Sequence, residues 1–453
     1  MTVSPSQIRA DFSAAMSEMY RTEVPAYGTL VGIVEDVNAA VLERDDNALA
    51  LTPGEDTNRI SAERHGAIRL GTAEELAMMG RVFAVMGMEP VGYCDLSVAS
   101  VPVHSTAFRP IGRDALAENP FRVFTSLLRL ELIEDEALRE KAAATLARRR
   151  IFTEGAIALT EKAEAEGGLS AADAARFVAE VLETFRWHPE ACVDDATFED
   201  LIGAHRLIAD VVSFKGPHIN HLTPRTLDID AAQAEMVAQG LPAKAIVEGP
   251  PRRTCPILLR QTAFKALNEA IRFPVDGGWQ EGQHTARFGE IEQRGVALTP
   301  KGRALYDSLL TVVRADILPA ADGSNAEEYV AKLEEVFAAF PDSWRALHDQ
   351  GLAYFKYGIG QGAATGDDLP SLLDAGALTI SPIIYEDFLP VSAAGIFQSN
   401  LGDEARSDSQ AASSRAEFEA ALGKPVTDEF ALYEAMQAAS CAAALEQLNA
   451  SAA

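Results

Sequence analysis

The run from residue 214 to residue 225, near the middle of the chain, decides the fold class. It contains two of the eight histidines and reads Phe214-Lys215-Gly216-Pro217-His218-Ile219-Asn220-His221-Leu222-Thr223-Pro224-Arg225. Gly-Pro opens the histidine segment and Thr-Pro closes it, so the run is too punctuated for a helix and predicts a short strand. Residues three apart on a strand point to opposite faces, so only one of His218 and His221 faces a given site. This favours a site assembled from several strands over a helical two-histidine zinc motif, whose histidines stand four apart.

The predicted elements occur in the same order on both sides of a helical block. The first half begins with a strand containing His65. A helix at 73–86 follows, which begins with a capping box at Thr72 and Glu75, and then three strands at 89–96, 101–110 and 122–132. The second half has a strand, a helix and three strands at 219–227, 231–239, 245–248, 256–264 and 284–293. This recurrence predicts an α+β fold with two βαβββ modules.

Apolar spacing outside the modules predicts helices, in four stretches at 6–45, 134–210, 325–350 and 413–447. The glycine-rich residues 351–372 predict a loop. The sequence therefore predicts helical termini and a helical insertion between the modules.

Bulk composition argues against several kinds of partner. The 453 residues carry a net charge of −28 without a basic stripe, which disfavours nucleic acids and acidic membrane surfaces. No apolar run approaches the ~20 residues of a membrane span, and the N-terminus lacks a signal peptide pattern. The four scattered cysteines are typical of a reducing compartment. We predict a cytoplasmic protein that binds a small molecule; the sequence does not give its oligomeric state.

Three predicted strands carry candidate metal ligands. They are His65, one histidine of the 214–225 run, and the carboxylates Glu290 and Glu292, which share a face of the strand at 284–293. Two neutral imidazoles and one carboxylate form a facial triad that leaves coordination positions open and is typical of non-haem Fe(II) sites that use O₂. A lone histidine is more often a core residue with satisfied hydrogen bonds, so the prediction depends on all three strands together.

The strand around Glu290 carries a family resemblance. Its residues, Phe288-Gly289-Glu290-Ile291-Glu292-Gln293-Arg294, resemble the Glu-x-x-Gln-Arg strand of the 4-hydroxyphenylpyruvate dioxygenase group. That group belongs to the vicinal oxygen chelate superfamily, whose fold is paired βαβββ modules. Four strings extend the resemblance through nearly the whole chain to the 2-oxoadipate dioxygenase/decarboxylases, also called 2-hydroxyglutarate synthases. The strings are Arg64-His65-Gly66-Ala67-Ile68-Arg69-Leu70-Gly71 and residues 218–225, 284–290 and 385–397.

Carried over by position, the resemblance implies an Fe(II) site held by His65, His221 and Glu290, with Glu292 beside the ligand set. The implied reaction joins 2-oxoadipate and O₂ and gives 2-hydroxyglutarate and CO₂, as in lysine catabolism. The 2-oxo acid loses its carboxyl group and its own chain is hydroxylated. No second 2-oxo acid is consumed, because substrate and electron donor are one molecule.

The resemblance also implies residues for the far end of the substrate. Arg69 matches the arginine that binds the distal carboxylate, and a guanidinium suits it because the planar fork can bind both oxygens. Val391 and Ser392 match a loop that contacts the same end. We therefore expect vicinal oxygen chelate-like modules forming a curved, metal-binding sheet. The expected segments are 1–133, 134–210, 211–310 and 311–453, the last with a substrate loop at 385–400.

Several of these residues also have an ordinary structural interpretation. Arg69 fits a salt bridge, Ser392 a turn, and Glu292 a solvated strand charge. His218 is expected beside the ligands or on the substrate side. His284, placed at the start of the Glu290 strand, either contacts the substrate or makes a backbone hydrogen bond.

Two other functions fit the same residues. One is a metal-dependent lyase or isomerase of the same superfold without redox chemistry, which works anaerobically with Mn(II), Ni(II) or Zn(II). The other is a non-catalytic protein that binds dicarboxylates. The metal preference and the need for O₂ separate these functions from the dioxygenase.

Overall fold

The computed structural model describes residues 2–44, 57–320, 322–363, 368–389 and 408–452. A seven-stranded sheet lies at its centre, and two two-stranded sheets accompany it. None of the described helices is long and apolar enough to cross a membrane.

Three helices precede the sheet in the chain: α1 (Pro5–Glu23), α2 (Pro25–Arg44) and α3 (Thr57–Ala62). The side chain of Ser4 caps α1 by accepting a hydrogen bond from the backbone N–H of Gln7. The apolar sides of α1 and α2 pack on one face of the central sheet within the largest hydrophobic core. The N-terminal helices therefore close one face of the sheet and leave the other for the site.

The first module forms one half of the central sheet. Its elements in chain order are β1 (Arg64–Leu70), α4 (Ala73–Val85), β2 (Glu89–Asp95), β3 (Val103–Arg109), α5 (Arg113–Glu118) and β4 (Arg122–Leu128). β1 runs parallel to β4, while β4 pairs with β3 and β3 with β2 in antiparallel fashion. The predicted βαβββ order of this half is confirmed.

The helical insertion follows β4. Its helices are α6 (Glu136–Arg148), α7 (Glu154–Glu166), α8 (Ala171–Leu182), α9 (Asp195–Ala204) and α10 (Arg206–Ser213). Every residue of α10 from Leu207 to Ser213 is buried, so this helix lies inside the protein rather than on its surface.

The second module begins with the same strand and helix as the first, but it adds a hairpin and contributes three strands to the central sheet instead of four. Its elements are β5 (His221–Pro224), α11 (Ile229–Ala238), β6 (Leu259–Ala263), β7 (Asn268–Val275), β8 (Gly278–Thr285) and β9 (Phe288–Arg294). β5 runs parallel to β9, and β9 is antiparallel to β6. β7 and β8 pair with each other as a separate hairpin between β6 and β9.

The modules join where β1 and β5 run antiparallel, with His65 opposite Thr223 and Gly66 opposite Leu222. The strand order is β2-β3-β4-β1-β5-β9-β6. Gly66 permits this contact, since a Cβ there would lie 2.5 Å from Ile219 Cδ1 and 3.0 Å from the carbonyl oxygen of His221. The expected α+β fold, a curved sheet of paired modules with a helical insertion and helical termini, is confirmed.

Most of the C-terminal region packs around a separate apolar core, while Phe418 and Leu422 join the largest core. Its elements are α12 (Pro300–Asp316), α13 (Ala326–Phe337), α14 (Trp344–Asp349), β10 (Phe355–Ile359), α15 (Leu369–Asp374), β11 (Leu378–Pro382), α16 (Asp408–Leu422) and α17 (Glu429–Ala452). The chain between β11 and α16 approaches the central sheet through Phe388, whose ring contacts His65 and Phe124.

The predicted position of His284 at the start of the Glu290 strand is wrong. His284 lies near the end of β8, opposite Glu269 of β7, and β9 begins at Phe288. Residues 278–281 of β8 are exposed on both faces, so the hairpin lacks the alternation of apolar residues that marks a half-buried strand.

Four other assignments need correction, those of three strands and one loop. The strand expected at 219–227 is only the four residues of β5, because His218 has a φ of 28° and Pro224 cannot donate to a ladder. The strand expected at 122–132 ends at Leu128, where a short 3₁₀ turn follows. Residues 245–248 make an isolated bridge instead of a regular strand. The loop expected at 351–372 contains β10.

Candidate metal centre

Neighbouring strands of the central sheet place His65, His221 and Glu290 on one face. His65 on β1 stands opposite Thr223 of β5, and side chains directly opposite each other share a face. His221 lies two residues before Thr223, so it points the same way. On the other side of β5, His221 stands opposite Phe288 of β9, and Glu290 is two residues further along. The strand period of two therefore brings together three residues that are far apart in sequence.

These three side chains form a compact buried cluster. A ligand atom from each of His65, His221 and Glu290 lies within 4.8 Å of the other two, and all three residues are buried. His65 Nε2 is 3.0 Å from Glu290 Oε1, and His221 Nε2 is 3.8 Å from the same oxygen. The cluster has the size and the donor types of a metal site.

The hydrogen bonding of the cluster leaves several of its atoms without partners. Glu290 Oε1 accepts hydrogen bonds from Thr223 Oγ1 at 3.0 Å and from Gln261 Nε2 at 2.7 Å. In contrast, Glu290 Oε2 and both ring nitrogens of His221 have no hydrogen-bond partner among the described residues. Buried polar atoms without partners are costly. A cation bound between these residues would relieve that cost, so the donor set fits a divalent metal.

Glu292 fixes the ring of His65 from the other side. His65 Nδ1 lies 2.9 Å from Glu292 Oε2. Glu292 in turn accepts two hydrogen bonds of 2.9 Å from Arg294. The carboxylates of Glu292 and Glu290 thus lie beside the two nitrogens of the His65 ring, and this arrangement directs Nε2 toward the cluster. Glu292 therefore supports the cluster from beside it, as expected for the carboxylate next to the ligand set.

The electrostatics favour a neutral His221 and ionised carboxylates. Burial lowers the pKa of His221 to about 4, although the charge of Glu290 opposes this shift. Burial alone would raise the pKa of Glu290, but the facing His221 and His65 hold it below its ordinary value. Burial would lower the pKa of His65, but Glu292 and Glu290 raise it. Neutral imidazole and ionised carboxylate are the forms that bind metals.

A buried network of arginines and glutamates supports the cluster from behind. Arg122 pairs with Glu63 at 2.7 Å and with Glu386, and its Nη1 lies 3.8 Å from Glu292. The network continues through further pairs, namely Arg59–Glu386, Arg225–Glu63 and Arg294–Glu63 at 2.8, 2.9 and 3.2 Å. Buried ions of opposite sign satisfy one another, so this network holds Glu292 and thereby His65.

Arg69 and His284 meet in a second polar cluster on the same side of the sheet. Arg69 stands four residues after His65 on β1 and donates from Nη1 to Asp210 Oδ2 at 2.7 Å. His284 Nε2 lies 2.9 Å and His218 Nε2 lies 3.3 Å from Asp210 Oδ1. The structure thus places His218 and His284 beside Arg69 and separates them from the three-residue cluster. Val391 and Ser392 lie outside the described residues.

Three residues of these two clusters were not anticipated from the sequence: Thr223, Gln261 and Asp210. Thr223 and Gln261 are ordinary polar strand residues, and only the strand register brings them to Glu290. Asp210 lies on α10 within the buried residues Leu207 to Ser213, and a charge in this mostly apolar stretch was the signal available.

Fold and site together define a class of protein: paired βαβββ modules with a buried cluster of two histidines and one carboxylate that could hold a metal. Comparison with known proteins gives the family. Residues 12–400 match the sequence profile of the 2-oxoadipate dioxygenase/decarboxylases. The chain belongs to this family and is an enzyme of that type.

Individual relatives match this chain over nearly their full length. The 2-oxoadipate dioxygenase/decarboxylase of Pseudomonas putida is 57% identical, over 99% of this chain and 98% of the relative. That of Escherichia coli is 55% identical, over 96% of each chain. The crystal structure of the hydroxyglutarate synthase from Pseudomonas putida in complex with 2-oxoadipate matches with 55% identity, 99% coverage of both chains and a TM-score of 0.92.

Proposed function

We propose that this chain is an Fe(II)-dependent dioxygenase that converts 2-oxoadipate and O₂ to 2-hydroxyglutarate and CO₂. The observation that carries the proposal is the buried cluster of His65, His221 and Glu290, whose ligand atoms lie within 4.8 Å of one another. In this cluster both ring nitrogens of His221 and Glu290 Oε2 have no hydrogen-bond partner among the described residues. The family adds support, because a relative of 55% identity was crystallised in complex with 2-oxoadipate.

Iron is the metal that best suits a dioxygenase with this donor set. Two imidazoles and one carboxylate hold Fe(II) and leave coordination positions for a chelating 2-oxo acid and O₂. Bound there, Fe(II) supplies the Lewis acid that holds the 2-oxo acid and the electrons that activate O₂. His65, His221 and Glu290 are the proposed ligands.

The surrounding residues hold the proposed ligands in place and shield them from solvent. Glu292 holds His65 at Nδ1, so that Nε2 faces the cluster. Phe388 packs edge-on against His65 with the ring centroids 4.8 Å apart, and Phe288 stacks on His221 at 4.9 Å. Apolar walls exclude water, which strengthens the electrostatic interactions inside and limits side reactions of O₂.

Arg69 is the proposed partner of the distal carboxylate of the substrate. It lies on the same face of β1 as His65, with Ala67 between them, so both face one side of the sheet. Four strand residues span roughly 13 Å along the backbone. A diacid could therefore place one end at the metal and its other end at the guanidinium of Arg69. We propose that Val391 and Ser392 contact the same end and that His284 lines it through its bond to Asp210.

The proposed reaction balances without a further reductant. The bond between C1 and C2 of 2-oxoadipate breaks and C1 leaves as CO₂. The former C2 becomes a carboxylate and the neighbouring carbon gains a hydroxyl group, so the two electrons lost at each carbon reduce one O₂. One O₂ is used for each CO₂ released and each 2-hydroxyglutarate formed.

The test is single-turnover oxidation by anaerobically purified, Fe(II)-loaded protein. We expect 2-oxoadipate to trigger O₂ uptake, with CO₂ and 2-hydroxyglutarate formed in equal amounts and with ¹⁸O from ¹⁸O₂ in the product. The His221→Ala variant should lose this activity. A matched control is His188→Ala, because His188 is partly exposed, pairs with Glu183 and lies outside both clusters. Product that forms without O₂, or that takes its new oxygen only from water, would overturn the proposal.

A further inference from the structure

Asp210 is a buried carboxylate that joins three side chains on separate elements. It projects from α10 and is 5% exposed. Arg69 of β1 donates to its Oδ2 at 2.7 Å, while His284 of β8 and His218 lie 2.9 and 3.3 Å from its Oδ1. Each oxygen of one carboxylate therefore holds a different part of the cluster, and the carboxylate fixes Arg69 relative to two imidazoles.

Aromatic rings enclose this polar cluster. Trp187 packs against His218 with centroids 4.7 Å apart, and Phe214 and Phe198 pack against His284 at 5.1 and 5.5 Å. His218 adopts a φ of 28°, in the left-handed region that residues other than glycine seldom occupy. A strained backbone within a rigid aromatic wall indicates that the position of this cluster is set by the fold.

The charges in the cluster keep Asp210 ionised. Burial alone would raise its pKa, but His218, His284 and Arg69 hold the pKa well below its ordinary value. An ionised carboxylate attracts a guanidinium strongly in a buried setting, and one such bond restricts the many rotamers of an arginine side chain. The cost of ordering Arg69 is therefore met before any ligand binds.

We propose that Asp210 is a positioning residue that holds Arg69 ready for the distal carboxylate, so that Asp210 sets the preference for 2-oxo diacids over 2-oxo monoacids. The inference rests on the proposed function, in which Arg69 receives that carboxylate. A guanidinium carries five N–H donors in a planar fork and can bind two carboxylates at once. Asp210 acts through Arg69 and is not itself a catalytic residue.

Two opposing effects of Asp210 make the proposal testable. As an anchor, it preorganises Arg69 and tightens binding of a diacid. As an anion, it repels the incoming carboxylate and weakens binding. The direct bond at 2.7 Å and the two histidines on the far oxygen favour the anchoring role, because the histidines draw charge away from the side of the carboxylate that faces Arg69.

The experiment compares Asp210→Asn with the parent enzyme on 2-oxoadipate and on 2-oxohexanoate, in which a methyl group replaces the distal carboxylate. Both dissociation constants are measured anaerobically on the Fe(II)-loaded protein, and kcat and KM are measured with O₂. We expect the KM and Kd for 2-oxoadipate to rise about tenfold, kcat to change less than about threefold, and values for 2-oxohexanoate to change less than about twofold. In an Arg69→Met background, Asp210→Asn should have no further effect.

The matched control is Asp230→Asn, which removes a carboxylate from an arginine elsewhere, since Asp230 binds Arg260 at 2.7 and 2.9 Å. It should leave the preference for diacid unchanged. An Asp210→Asn enzyme that binds 2-oxoadipate as well as or better than the parent would overturn the proposal. So would equal losses with both substrates, which indicate a purely structural role. If instead the parent enzyme uses no O₂ with 2-oxoadipate, the proposed function itself fails.

Discussion

The two modules carry different side chains on their equivalent first and last strands. In both modules the first strand runs parallel to the last strand and carries a histidine opposite that strand's first residue. His65 of β1 stands opposite Arg122 of β4, and His221 of β5 stands opposite Phe288 of β9. Arg122 enters the ion-pair network behind the site, whereas Phe288 stacks on its histidine.

The difference between the modules is greatest two residues further along the last strand. There the second module has Glu290 and the first has Phe124, whose ring packs against Phe388. A carboxylate in both positions would give two histidines and two carboxylates and would fill more of the coordination sphere. One carboxylate and one phenylalanine leave a three-ligand set with open positions. The asymmetry between the modules thus accounts for the open positions on which the proposed function depends.

The largest effect should follow from removing the carboxylate of the second module. We expect Glu290→Ala to lose metal and to lower kcat/KM for 2-oxoadipate roughly 1000-fold or more, because a metal with two protein ligands is held too weakly for the reaction. Phe124→Leu changes the equivalent position in the first module and should keep the metal. Metal content after dialysis and the rate of O₂ uptake measure both. Equal losses in the two variants would contradict the asymmetry.

A smaller effect, on stability, is expected from a substitution in the ion-pair network that contains Arg122. Glu386→Gln leaves Arg59 and Arg122 without one carboxylate and should lower the free energy of unfolding by about 3 kcal/mol. Chemical denaturation measures this change. The exposed pair of Glu164 with Arg81 gives the control, because Glu164→Gln should cost less than about 1 kcal/mol.

The same variant tests a pH dependence. Burial would raise the pKa of Glu386, but Arg59 and Arg122 lower it to about 2. A lowered carboxyl pKa contributes stability above its unfolded value, and this contribution is lost as pH falls toward the folded value. The parent protein should therefore lose stability between pH about 4.5 and about 2 more steeply than Glu386→Gln. Parallel curves would show that Glu386 does not carry this dependence.

The smallest of these effects concerns Glu292, which holds the proposed ligand His65 in place. Glu292→Gln should weaken metal binding about 10- to 100-fold, because the amide no longer holds His65 Nδ1 as a charged acceptor. In the first module, Ser126 stands at the equivalent position and bonds to Ser105. Ser126→Ala should change metal affinity less than about twofold. Competition with a chelator of known affinity measures both, and an unchanged affinity of Glu292→Gln would count against this role.

The sequence predicted the parts of the fold that are periodic. The βαβββ order, the helix after His65, and the common face of Glu290 and Glu292 follow from a strand period of two and from local capping. The resemblance singled out His221 over His218, and the structure places His221 with His65 and Glu290. The division into four segments and the cytoplasmic location stay predictions.

The missed parts depend on packing or on weak local signals. The β7–β8 hairpin turns at Asp276-Gly277, a favoured hairpin sequence. Its strands are too polar to show a strand pattern, so the hairpin was not predicted and His284 was assigned to the wrong strand. The role of Asp210 depends on how α10 enters the core, and its one local signal is a charge among apolar residues. Gln261 reaches Glu290 only through the register of β6 with β9.

The most direct test of the account is a crystal structure of the Fe(II)-loaded protein with 2-oxoadipate, prepared without O₂ and with iron located by its anomalous scattering. The account predicts one iron bound by His65, His221 and Glu290, with the 2-oxo acid end of the substrate on the metal and its distal carboxylate on Arg69. Iron bound by Glu292 or Asp210 in place of Glu290, or a substrate whose distal carboxylate lies away from Arg69, would contradict it.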